Sequence, residues 1–207
     1  TGKGNNLSLN YSGGAISLGG NYSGIADFTA ETDVNLNGSF NTSGAQTYKA
    51  SASLTGDTTL TGVSASFSKG LEGGGNDLTL DFSQTSTLGG LNNIAAFTSE
   101  GAVNLNGSFA TTGAQTYNGN VGLLGDTTLS STTASFSGVV DGGGNNLTLN
   151  MSGLSRLTGG LNNITNFSAS GDIELGGNFS TSGAQTFGGS VALAGDTTMS
   201  GVDATFS

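Results

Sequence analysis

The sequence predicts an all-β chain wound as a parallel β-helix, and three observations lead there. A unit of about 70 residues is written three times. Short stretches alternate apolar and polar residues with period two. Glycine is abundant, at 38 of 207 residues, while proline is absent.

The repetition sets the architecture. Gln46, Gln115 and Gln185, within SGAQTY, TGAQTY and SGAQTF, recur at a nearly constant spacing of about 70 residues. Val34-Asn35-Leu36 returns as Val103-Asn104-Leu105 and Ile173-Glu174-Leu175, and the GDTTL of Gly56 to Leu60 returns at Gly125 to Leu129 and, ending in Met, at Gly195 to Met199. The copies span about 1–72, 73–141 and 142–207 of a single domain, and such periods indicate solenoids or arrays.

The strands come next. Leu7-Ser8-Leu9-Asn10-Tyr11, Leu78-Thr79-Leu80-Asp81-Phe82 and Leu147-Thr148-Leu149-Asn150-Met151 alternate in the manner of half-buried strands. Leu36, Leu60, Leu80, Leu105, Leu129, Leu149, Leu175 and Met199 follow one another at steps averaging about 23 residues. A turn of about 23 residues is expected, with three turns per repeat and about nine in all, stacked at about 4.8 Å into a rod roughly 43 Å long.

Inward positions fall to Leu, Val, Ile, Phe and Ala, and outward ones to Ser, Thr and Asn. The clusters Gly73–Gly75 and Gly142–Gly144 fit corners that need positive φ. Proline is excluded because every interior strand donates to the next turn. Phe40, Phe109 and Phe179 are in phase with the inward Val and Leu. The sets Phe28, Phe97, Phe167 and Phe67, Phe136, Phe206 read as core stacks. Tyr48 and Tyr117 become Phe187, so packing of the ring is expected to matter more than its hydroxyl. Tyr22 has no aromatic counterpart and is expected to be exposed.

Composition excludes several functions. The chain has no His and no Cys, so Ser-His-Asp and Cys-His arrangements, His-ligated zinc and disulfides are all impossible. Only paired carboxylates could perform acid–base work. Asp77 with Asp81 is a candidate pair, but Asp81 becomes Asn10 and Asn150 in the other copies. No enzyme is expected. The net charge is −10, and Lys3, Lys49, Lys69 and Arg156 form no patch, which argues against nucleic acid as a partner. No apolar run is long enough to enter a membrane.

One column suggests a cation. Aligned on Leu36 and read three positions upstream, it runs Asn6, Asp33, Asp57, Asp77, Ala102, Asp126, Asn146, Asp172 and Asp196. On turns about 4.8 Å apart, the carboxylates of Asp33, Asp57 and Asp77 repel by roughly 1 kcal/mol in water. Each Asp or Asn can close its turn by accepting from nearby backbone N–H groups. The alternative is weak Ca²⁺ binding along Asp33, Asp57 and Asp77, with Asp126, Asp172 and Asp196 as poorer sites. No other cofactor is expected.

The series GAQTY, GDTTL, ASFSG, DGGGNNLTLN and GGLNNI resembles the repeat arrays of filamentous-haemagglutinin-like and autotransporter-passenger adhesins. That resemblance implies a right-handed helix at the extracellular surface of a bacterium. The role it implies is a structural stalk that holds a binding tip away from the cell, with a host-surface or glycan ligand. The chain opens at Thr1 and reads as a segment of a longer array. The alternative is a segment that itself binds carbohydrate or self-associates end to end into fibres.

Overall fold

The computed structural model describes residues 1–207, which form 24 strands, no helix and one continuous parallel pairing network. Period-two alternation builds it. In Leu78–Phe82 the leucines and Phe82 are buried while Thr79 and Asp81 face outward, and the same holds in Leu147–Met151.

Each turn has three faces. One column of paired inward residues, face A, runs Ile16, Val34, Ala52, Leu71, Leu91, Phe109, Leu129, Leu149, Ala169, Phe187 and Phe206. Ten steps carry it from Ile16 to Phe206, so a turn averages about 19 residues. Face B runs from Tyr22 through Phe40, Leu60, Leu80, Ser99, Tyr117, Phe136, Leu157 and Leu175 to Leu193. Face C runs Leu9, Ala30, Tyr48, Phe67, Leu88, Leu105 and Leu123. It then continues two positions over, through Val121, Val140, Leu161, Phe179 and Met199. The chain visits C, A and B in that order.

The rod therefore has about 11 turns and, at about 4.8 Å each, a length of roughly 53 Å. The expected nine turns of about 23 residues are corrected because the column that suggested them mixes faces. Leu60 to Leu80 and Leu129 to Leu149 are true turns, whereas Leu36 to Leu60 crosses from face A to face B.

The repeat also does not stack on itself. Eleven strand segments separate Leu9 from its counterpart Leu80, and eleven is not a multiple of three. Each copy thus occupies three turns and two-thirds and begins one face back. Phe40 lies on face B, Phe109 on A and Phe179 on C. The aromatic stacks follow the same rotation: Tyr48 lies 4.4 Å from Phe67 on face C, Tyr117 lies 4.7 Å from Phe136 on B, and Phe187 lies 5.0 Å from Phe206 on A.

Candidate functional site

The most concentrated polar chemistry inside the rod is the repeated Gln corner. Period two turns both Gln46 and Tyr48 inward, with Thr47 between them less buried. Gln46 is buried, and its Nε2 donates to Phe40 O at 3.1 Å, Thr61 O at 3.0 Å and Thr42 Oγ1 at 3.3 Å. Its Oε1 accepts from the Tyr48 hydroxyl at 2.8 Å. The amide thereby fastens the end of one face-B strand to the strand one turn on. Gln115 does the same one face back, donating to Phe109 O and Ser130 O and accepting from Tyr117 at 2.9 Å. Burial raises both tyrosine hydroxyls far above their usual range, which keeps them neutral donors.

The third copy has lost one partner. Gln185 still donates to Thr181 Oγ1 and Ser200 O, but Phe187 has no hydroxyl, and Gln185 Oε1 is buried with nothing to accept from. The Tyr-to-Phe change is therefore not neutral, as packing alone suggested. Phe187→Tyr is expected to raise stability by about 1 kcal/mol, and Tyr117→Phe to lower it by about 1–2 kcal/mol. Urea denaturation of both variants checks the pair.

Corner carboxylates and amides form a second set. At several corners an Asp or Asn that directly precedes the first inward residue of a face accepts, through Oδ1, the N–H of the matching residue one turn on. Asp57 accepts from Asp77 at 3.0 Å, Asp77 from Ala96 at 2.9 Å, Asp126 from Asn146 at 2.9 Å and Asn146 from Asn166 at 3.1 Å. For Asp126 this backbone bond, followed by one to the Asn146 side chain, holds the carboxyl below its usual range.

The single acidic column read from the sequence is not formed. Asp57 and Asp77 sit on consecutive turns at the corner entering face B. Asp33 lies at the corner entering face A, where its Oδ1 accepts from Ser51 at 2.9 Å. Asp126 also enters face A, Asp172 enters B, and Asp196 enters C. No group of three or more His, Cys, Asp or Glu side chains is gathered to hold a metal ion. Asp57→Asn, which keeps the accepting oxygen, is expected to change stability by less than about 0.5 kcal/mol, while Asp57→Ala costs about 1 kcal/mol. Thermal melts of both variants and the parent, in Ca²⁺ and in EDTA, are expected to differ by substitution and not by metal.

The flanks are polar and shallow. The depressions lined by Gly143, Asn163 and Ser180 and by Val139, Asn162 and Asn178 contain no ionisable side chain. Asp77 and Asp81 are both exposed, one on either side of the buried Leu78-to-Leu80 stretch. The pairs Lys49–Glu31 and Arg156–Glu174, each at 2.7 Å, link neighbouring turns at the surface, where such pairs contribute little. Tyr22 is not an exposed platform: its ring stacks on Phe40 at 4.8 Å and 7°. The exposed aromatics, Tyr11 and Phe206, lie near opposite ends, and Leu193, Val202 and Phe206 leave the last turn 58–80% exposed at apolar side chains.

No protein-family model, curated protein or solved structure matches the chain.

Proposed function

We propose that residues 1–207 are a stalk segment of an exported bacterial surface adhesin, a rod that holds a binding tip away from the cell. The observation that carries this reading is the continuity of the interior: 44 buried apolar residues from Leu9 to Phe187 form one cluster along the whole axis. Each turn closes its apolar surface only against its neighbours, so the stack acts as one body rather than as beads on a string. The flanks add hydrogen-bonded side-chain ladders between turns, such as Asn92 with Glu72 and Asn118 with Glu100. They offer no aromatic platform on which a sugar ring could stack.

The test is an insertion experiment. A binding domain displayed on cells through this segment is expected to capture bead-bound ligand with a reach that grows by roughly 5 nm for each segment inserted. The segment without the domain is expected to hold neither bare nor glycan-coated beads. Retention of glycan-coated beads alone would favour direct carbohydrate binding over the stalk.

A further inference from the structure

We draw no further inference here: the strongest candidate, the outward hydroxyl ladder of Thr59, Thr79, Thr98 and Thr116 on four consecutive turns of face B, is an unpartnered row of small side chains, and nothing in the structure shows what covers it.

Discussion

Replacing Phe109 with alanine is expected to lower stability by about 3–5 kcal/mol. The ring is fully buried at the middle of the rod and pairs with Leu91 on one side and Leu129 on the other along face A. Both neighbours are held by parallel ladders that cannot close inward without breaking register, so the vacated volume persists as a cavity. Stability in a solenoid is approximately a sum of turn and interface terms. A weakened central turn is therefore also expected to uncouple the two halves, broadening the urea transition. A loss within about 0.5 kcal/mol, the scale of an ordinary surface substitution, would place the ring outside the core and overturn the inward register of the whole column.

Gln115→Met is expected to cost about 2–4 kcal/mol although it preserves most of the side-chain volume. The substitution leaves Phe109 O, Ser130 O and the Tyr117 hydroxyl without their partner in a buried interior, and each unpaired buried group costs about 1–3 kcal/mol before relaxation. The same change at Gln185 is expected to cost less. Its Oε1 has no partner to lose, and its neighbour Ser200 lies on the exposed last turn. Equal and negligible losses at both positions in urea melts would mean that the amide does no more than fill space.

Much of this fold is legible in the sequence because strand alternation is a local signal. The inward positions of Leu78, Leu80, Phe40, Phe109 and Phe179 follow from period two, and the structure buries all of them. Turn length is a non-local property, and there the leucines mislead. The step from Leu36 to Leu60 resembles one turn, but it is one turn plus one face. The acidic column inherited that error, since Asp33 and Asp57 each lie three residues before a leucine of that series, Leu36 and Leu60, without sharing a corner. The buried Gln was available to the same alternation that placed Tyr48 inward. Gln is ordinarily a surface residue, and only the converging carbonyls of Phe40 and Thr61, which lie on successive turns to either side of the amide in sequence, explain its burial.

The fractional winding of the repeat bears on how such a rod bends. Had each copy filled a whole number of turns, the glycine corners Gly73–Gly75 and Gly142–Gly144 would fall along one side, and that side would yield first under a sideways load. With successive copies rotated by a third of a revolution, the compliant corners, the stiff aromatic stacks and the amide staples are shared among all three sides. The local curvature preferences of the three copies then cancel along the chain, leaving a straight beam with nearly the same flexural rigidity in every direction.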